Sequence, residues 1–241
     1  MDQVDIRHLR TEDEFAACID LQRETWGSSF SDVVPVSMLQ VSVKMGGVCM
    51  GAFGPDRELA GFVYGITGVR KGELAHWSHM LAVRPDLRDR GIGRRLKMAQ
   101  ADALRALGVK AVYWTYDPLV ARNAHLNLNL LGATIDEYVP DMYGTSDSEL
   151  HRLGTDRFIV RWCLEGEAPD RRRGDDDETV EVVIPGDIEA VEARSVDEAL
   201  EWRRTTRDAF TRLLGDGGRV EGFVPGREYG RYLLVRKAEA P

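Results

Sequence analysis

The sequence predicts an α/β (α+β) fold with a mixed central sheet, followed by a small α+β extension. Three observations predict it. Strand and helix patterns alternate from residue 4 to residue 164, which favours helices layered on a sheet. A glycine-bearing loop joins a strand to a helix near the middle of the chain. The length of 241 residues suffices for one well-buried domain and a smaller appendage.

The first part of the chain predicts two helices and four strands. Apolar and charged residues alternate at the amino terminus, as in a half-buried strand. Thr11 and Glu14 form a capping-box pattern, which begins a helix. The turn at 54–56 separates two strand patterns and indicates an antiparallel hairpin. The predicted elements are a strand at 4–9, helices at 11–26 and 37–45, and strands at 48–53, 59–69 and 74–83.

The middle part continues the alternation after the glycine loop. A helix is predicted over 91–107 because Gly108 is a typical helix end. The crossover through this helix makes the next strand, 109–116, parallel to the strand at 74–83. The remaining predicted elements are a helix at 121–131 and strands at 133–139 and 157–164.

Composition divides the chain into three segments: a domain at 1–165, a charged, solvated linker at 166–178 and an extension at 179–241. In the extension we predict a strand at 180–184, a helix at 195–214 and strands at 219–224 and 229–235. Because it is too small to be stable alone, we expect it to pack on the first domain or on a second subunit of a homodimer. Its last two strands are candidates to extend an existing sheet.

Composition also excludes several classes of protein. The net charge of −8 and the 43% apolar content fit a soluble globular protein. Residues 1–10 lack the apolar core of a signal peptide, and no apolar run is long enough to cross a bilayer, so we expect a cytoplasmic protein without membrane contact. Cys18, Cys49 and Cys163 are far apart, which argues against disulfides and against a structural metal site.

The glycine loop predicts an anion site. Gly91 and Gly93 allow backbone N–H groups to approach an anion at the positive end of a helix. Six basic residues and two aspartates lie between Arg84 and Lys97, which gives a local charge of +4. This small basic patch suits the phosphates of a small molecule better than a nucleic acid. Leu96 stands where a dinucleotide fingerprint would have its third glycine, and an ordinary strand-turn-helix link is the alternative.

The residues Val83, Pro85, Arg88, Gly91 and Gly93 match motif A of the GNAT acyltransferases, [Q/R]-x-x-G-x-[G/A], with its Val-x-Pro lead-in. The chain therefore resembles this family, and the order β-α-α-β-β-β-α-β-α-β-β over 4–165 agrees. The resemblance implies a V-shaped splay of the central sheet and acetyl-CoA, or another acyl-CoA, as co-substrate, with no metal. It implies coenzyme A contacts at Leu81, Ala82, Val83, Arg88, Asp89, Arg90, Gly91, Ile92, Gly93, Arg94 and Asn123.

Candidate catalytic residues follow from the same resemblance. His79 occupies the position of a histidine in arylalkylamine N-acetyltransferases, and an imidazole is a suitable general base near neutral pH. A histidine hydrogen-bonded within the sheet is the alternative. Glu73 is a second candidate base acting through water, and His76 is expected to be structural. By the two-residue period of a strand, side chains 77, 79, 81 and 83 are predicted to share one face.

The usual tyrosine acid of the family is absent. When the family pattern N-x-x-A-x-x-x-Y-x-x-x-G-F is aligned on Gly132, Ala124 fits, but Leu128 stands at the tyrosine position. Asn123 and Asn127, predicted one helical turn apart, and Tyr116 are candidates to bind the pantetheine or the thiolate, although packing or capping is the alternative role for each.

The predicted reaction is acyl transfer, most simply of acetyl, from coenzyme A to a primary amine of a small molecule. Two alternatives stay open: a non-catalytic acyl-CoA-binding module, and an enzyme using a larger donor such as succinyl-CoA. Motifs Trp114-Thr115-Tyr116-Asp117-Pro118-Leu119 and Trp202-Arg203 also occur in predicted GNAT proteins. Arg203 and Arg207 are spaced to bind a carboxylate of the acceptor, or to form ordinary surface pairs with Glu201, Asp208 and Asp197.

Overall fold

A computed structural model describes residues 4–27, 30, 32–144, 152–165 and 177–237. Its helices are α1 (Glu12–Trp26), α2 (Val36–Lys44), α3 (Ile92–Ala106), α4 (Ala121–Ala124), α5 (Ile188–Arg194) and α6 (Val196–Gly215). Its strands are β1 (Asp5–His8), β2 (Val48–Phe53), β3 (Leu59–Arg70), β4 (Glu73–Val83), β5 (Ala111–Tyr116), β6 (Thr134–Val139), β7 (Arg157–Cys163), β8 (Asp177–Pro185), β9 (Arg219–Val224) and β10 (Tyr229–Lys237).

The predicted mixed sheet is confirmed. Seven strands have the order β1-β2-β3-β4-β5-β7-β6. β4 and β5 are parallel, as the crossover through α3 requires, whereas the pairs β1–β2, β2–β3 and β3–β4 are antiparallel. The parallel pair places the loop before α3 at the carboxyl end of β4.

The chain divides into two compact units, residues 1–114 with 163–166 and residues 115–162 with 167–241. The predicted linker at 166–178 lies largely outside the described residues, and its last two residues already belong to β8. The predicted domain limits at 165 and 179 stay a prediction.

In the first unit, α1 and α2 cover one face of the sheet with a continuous apolar core. Its buried members include Phe15, Leu21, Leu39, Phe62, Tyr64, Met80 and Ala82. The predicted capping box is present, because Thr11 accepts from the Glu14 N–H and Glu14 accepts from the Thr11 N–H. Arg7 also contacts this carboxylate at 2.6 Å, and these contacts lower the pKa of Glu14 to about 2.

In the second unit, β8, β10 and β9 form a separate three-stranded antiparallel sheet. The prediction that the last two strands extend an existing sheet was therefore wrong, since β10 pairs along its whole length with β8. The short helix α5 was not predicted. Its signal in the sequence is Asp187, which accepts from the Ala190 N–H as an N-cap.

The predicted helix at 121–131 has two parts. α4 makes one turn, and His125–Leu130 continues as a π-helix in which the Leu131 N–H donates to the Leu126 carbonyl at 3.0 Å. The wider π-helical turn changes which side chains share a face of the helix. Asn127 is buried and Asn123 half-buried, so the two amides differ in their environments.

Candidate active site

β4 and β5 separate after a short parallel ladder. Ala75, His76 and Trp77 pair with Ala111, Val112 and Tyr113. β4 continues to Val83 beside β3, but no ladder with β5 is found beyond Trp77 in the described part of the chain. Among the described residues, the edge of β4 that faces away from β3 therefore has no strand partner from Ser78 to Val83. This is the splay that the family resemblance predicted.

A β-bulge redirects the side chains of β4 at the same point. Tyr64 pairs with Met80 and Gly65 with Ser78, so His79 is the extra residue. Before the bulge, Ser78 faces α3, since its hydroxyl donates to Gln100. After the bulge, Met80 and Ala82 lie in the core on the α1 and α2 side.

The prediction that side chains 77, 79, 81 and 83 share one face was consequently wrong. Leu81 and Val83 face the amino terminus of α3, because their side chains are the ones that a Cβ at Gly93 would contact. His79 faces the opposite side and meets the ring of Tyr64, which belongs to the α1 and α2 core. The extra residue of the bulge breaks the two-residue alternation.

The amino terminus of α3 has the properties of an anion site. Gly91 is its N-cap residue with φ 77°, a left-handed conformation that favours glycine, and no side chain caps the helix. The first turn contains no acidic residue. A Cβ at Gly93 would lie 3.7 Å from Leu81 and 3.9 Å from Val83, which are ordinary contacts. The first N–H groups of α3 therefore have no side-chain cap, and such groups are suited to bind an anion.

The six basic side chains near this loop have different environments. Arg84 contacts Glu58 at 3.1 Å and Asp86 at 3.4 Å, and Arg95 donates to the Val4 carbonyl. Lys97 is fully buried. Arg88, Arg90 and Arg94 are exposed at the loop. Arg84, Arg95 and Lys97 are thus engaged with other groups or buried. Arg88, Arg90 and Arg94 are the basic side chains that remain at the loop.

A cavity of about 600 Å³ lies on another side of the loop, between the β2–β3 turn and the start of α3. Arg84, Arg90 and Arg95 line it together with Asp56, Glu58 and Asp86. Because acidic and basic side chains balance, this cavity does not favour a polyanion.

His79 is exposed, with its ring 6.2 Å from that of Tyr64 in a T-shaped arrangement. Surrounding protein atoms displace part of the hydration of the imidazole, which lowers the pKa of His79, while Asp32 opposes this shift. The imidazole is therefore neutral at pH 7 and able to accept a proton.

His76 has the structural role expected of it. It is completely buried, and burial lowers its pKa to about 3. The Gln100 amide donates to Nε2 at 3.1 Å, so Nδ1 carries the proton and donates to Thr67 at 2.9 Å. The Thr67 hydroxyl donates in turn to the Gly46 carbonyl.

Glu73 is at the other end of β4 from the splay. It is exposed and contacts Lys110 at 3.2 Å. It lies six positions before His79 along the strand, about 20 Å away at about 3.3 Å per residue. The structure does not bring this candidate base to His79.

The remaining predicted residues belong to the second unit. Tyr116 is buried, its hydroxyl accepts from Tyr232 at 3.3 Å, and burial raises its pKa. Asn127 is buried in the π-helix, where its carbonyl accepts from the Ala133 N–H. Asn123 is half-buried in α4. These environments agree with the packing roles considered for them as alternatives.

Arg203 and Arg207 are both occupied by carboxylates. Arg203 is buried, donates to Asp117 at 2.5 Å and donates to the Leu153 carbonyl. Arg207 contacts Asp156 and, at 2.7 Å, Asp141. The hypothesis that they bind an acceptor carboxylate was therefore wrong. The partners expected for surface pairs were wrong too, because the actual ones are distant in sequence.

A buried polar chain that the sequence did not predict begins at Lys97. Its Nζ donates to Ser78 Oγ at 2.7 Å and lies 3.9 Å from the centre of the Trp114 ring. Ser78 donates to Gln100, which donates to His76. The helical period contained the signal, since Lys97 and Gln100 follow the same buried stripe of α3 as Leu96, Ala101 and Leu104.

We expect the stability of the protein to depend on the titration of Lys97. Burial lowers its pKa to about 7, below its unfolded value of 10.5, so the penalty on folding is full below pH 7 and disappears above pH 10.5. Lys97→Met should raise the free energy of unfolding, and this gain should shrink by up to about 1.4 kcal/mol per pH unit between pH 7 and 10. Urea unfolding of both proteins over that range measures it. A pH-independent difference would contradict the buried titration.

Two further findings concern the described residues. None of their helices has the length and apolar character needed to cross a membrane. No group of three or more of their histidine, cysteine and acidic side chains is arranged to hold a metal ion.

The comparisons with known proteins agree with this geometry. The model of the "Acetyltransferase (GNAT) family" matches residues 15–127. The comparison with curated proteins gives no match. A solved structure of the NatC complex bound to Gag peptide and CoA shares 15% identity at a TM-score of 0.55, covering 68% of this chain and 99% of that chain.

Two other solved structures share the fold. The ribosomal-protein-S18-alanine N-acetyltransferase from Escherichia coli has a TM-score of 0.52 and 18% identity, over 71% of this chain and 100% of that chain. An aminoglycoside 6'-N-acetyltransferase complexed with coenzyme A has a TM-score of 0.52 and 16% identity, over 69% and 99%. The open edge of β4, the glycine-bearing start of α3 and the family match lead to one conclusion: this chain is an acyltransferase with a GNAT acetyltransferase domain at residues 15–127.

Proposed function

We propose that the protein transfers an acyl group, most simply acetyl, from coenzyme A directly to a primary amine of a small molecule. The observation that carries this proposal is the open edge of β4 after Trp77, which ends in the glycine-bearing amino terminus of α3. An extended amide-containing chain can pair with such an edge, and phosphates can bind the helix terminus.

The residues present fit coenzyme A. The N–H groups of Gly91, Ile92, Gly93 and Arg94 would hold its phosphates, and the exposed side chains of Arg88 and Arg90 add positive charge. Arg88 Nε already donates to the Val83 carbonyl at 3.2 Å, which fixes the side chain at the loop. Asp89 has φ 60° and shapes the turn before Gly91.

The backbone of Leu81, Ala82 and Val83 would hold the pantetheine. These residues pair with Val63, Phe62 and Gly61 of β3, so the edge away from β3 is the one available to a ligand, except that the Val83 carbonyl already accepts from Arg88. The bulge at His79 lies beside this segment.

His79 is the residue we propose as general base. When bound, the acyl-CoA supplies a thioester carbonyl as the electrophile. The neutral imidazole of His79 would accept a proton from the ammonium group of the acceptor, directly or through one water. Its place at the bulge, with the ring held near Tyr64, orients the imidazole away from the Leu81 and Val83 side of the strand.

Tyr64, whose ring lies near that of His79, is a poor replacement for the family's tyrosine acid, because its hydroxyl is hydrogen-bonded to Ser42 at 2.6 Å and burial raises its pKa. The thiolate of coenzyme A is a fair leaving group without an acid, and water can protonate it after it departs. We propose no catalytic role for Tyr116 or Asn127, given their burial.

We also propose a small-molecule amine as the acceptor, a cytoplasmic location and a homodimer. The acidic composition fits the first two, and the small extension fits a homodimer. The similar solved structures include one bound to a peptide and one named for aminoglycosides, so the fold accommodates both acceptor classes.

Thiol release from a panel of acyl-CoA donors against a library of amines tests the proposed function. Turnover with acetyl-CoA and a small amine is the expected result. Turnover with peptides alone would contradict the acceptor class, and turnover with succinyl-CoA alone would contradict the donor. Coenzyme A binding without turnover on any amine would indicate the non-catalytic module.

A further inference from the structure

The amine of Lys97 contacts two neighbouring strands where they separate. It donates to Ser78 Oγ on β4 at 2.7 Å, and it lies 3.9 Å from the centre of the Trp114 ring on β5. Ser78 and Trp114 each follow directly after the last paired residues of the parallel ladder, Trp77 and Tyr113. Lys97 therefore spans the gap at its narrow end.

An amine is an expensive group to keep at this position. Lysine is almost never completely buried without a charged partner, because the ammonium loses its hydration. Lys97 is 2% exposed, and desolvation alone shifts its titration. Of the described contacts of Nζ, one is a hydroxyl and one a ring. An apolar side chain would fill the same space without this cost.

The acceptor of the Lys97 hydrogen bond is itself fixed. Ser78 donates to Gln100 at 2.8 Å, and Gln100 donates to the completely buried His76. Lys97 and Gln100 both project from α3, so two contacts from one helix hold the residue that precedes the bulge at His79.

We propose that Lys97 is a positioning residue for acyl-CoA, which fixes the separation of β4 and β5 through Ser78 and Trp114. This inference rests on the proposed function, in which the open edge of β4 binds the pantetheine. If β4 and β5 are already held apart before coenzyme A binds, no binding free energy is used to order them. Losing that order weakens binding more than it slows the chemical step.

Lys97→Met tests the amine, because methionine matches the lysine stem as far as Cε and lacks the amine that donates. We expect coenzyme A binding, measured by calorimetry at pH 7.5, to weaken about 10-fold while kcat at saturating acetyl-CoA changes less than about threefold. Ser78→Ala, which removes the acceptor, should cause a similar loss. In the double variant the losses should not add, since both changes remove one interaction. Met98→Ala, one residue further along α3 and exposed, is the control and should bind like the wild type.

A folded Lys97→Met protein that binds coenzyme A within twofold of the wild type would overturn the inference, as would fully additive losses in the double variant. If the wild type itself does not bind coenzyme A, the proposed function fails and the inference fails with it. Wild-type binding with no effect of either variant overturns the inference alone.

Discussion

Gly93→Glu is expected to weaken coenzyme A binding by at least about 100-fold while the protein stays folded. The new carboxylate would stand in the first turn of α3, where the phosphates are proposed to bind. Two like charges about 4 Å apart near a protein surface repel by about 4 kcal/mol. This repulsion is larger than the free energy that corresponds to an about 100-fold loss of affinity. Calorimetric titration with coenzyme A measures the loss.

The fold should tolerate this substitution for two reasons. A Cβ at Gly93 meets Leu81 and Val83 at ordinary contact distances. A carboxylate in the first turn of a helix is also favourable to the helix dipole. Gly91 is a poorer site for the test, since its φ of 77° strains any L side chain.

Two matched variants separate bulk from charge at this position. Gly93→Ala should keep coenzyme A affinity within a few-fold and gain about 0.5–1 kcal/mol in stability, because alanine favours a helix over glycine. Gly93→Gln adds the bulk of glutamate without its charge and should lose much less affinity than Gly93→Glu. Equal affinity of the Glu variant and the wild type would refute the phosphate site.

His79→Ala is expected to lower turnover by about 100-fold near neutral pH, with little change in the affinity for acyl-CoA. In the wild type, kcat/KM should fall as the pH decreases below about 6.5, because protonation removes the base and the pKa of His79 lies below its ordinary value. The variant should lack this acid limb. Steady-state rates from pH 5 to 8.5 with saturating donor measure both effects.

His8→Ala is a suitable control, since His8 is exposed on β1 in the same unit and has no proposed role. Thermal unfolding shows whether either variant is destabilised. Full activity of His79→Ala across the acid limb would rule out the base, and a water chain would then be the remaining route for the proton.

Local patterns predicted the elements of the first unit well. The capping box at Thr11, the hairpin at 54–56 and the helix start at Gly91 each depend on residues close together in sequence. They could therefore be predicted without knowledge of the tertiary structure. The parallel pairing of β4 and β5 followed from the handedness of the crossover.

Predictions that needed an exact register or a distant partner were less successful. The bulge at His79 arises from pairing with β3, and no residue of β4 alone indicates it. Arg203 lies 86 residues from its partner Asp117, so a helical period could not identify that ion pair.

The sequence by itself determined the order of the elements in the first unit and the glycine-bearing start of α3, because both depend on short-range backbone preferences and on the glycines at 91 and 93. Only the tertiary structure decided which side chains of β4 face α3, which arginines are occupied by carboxylates and that Lys97 is buried between two strands. The physical reason is that burial, register and charge pairing are set by residues far apart in the chain, and packing against them determines where each side chain points.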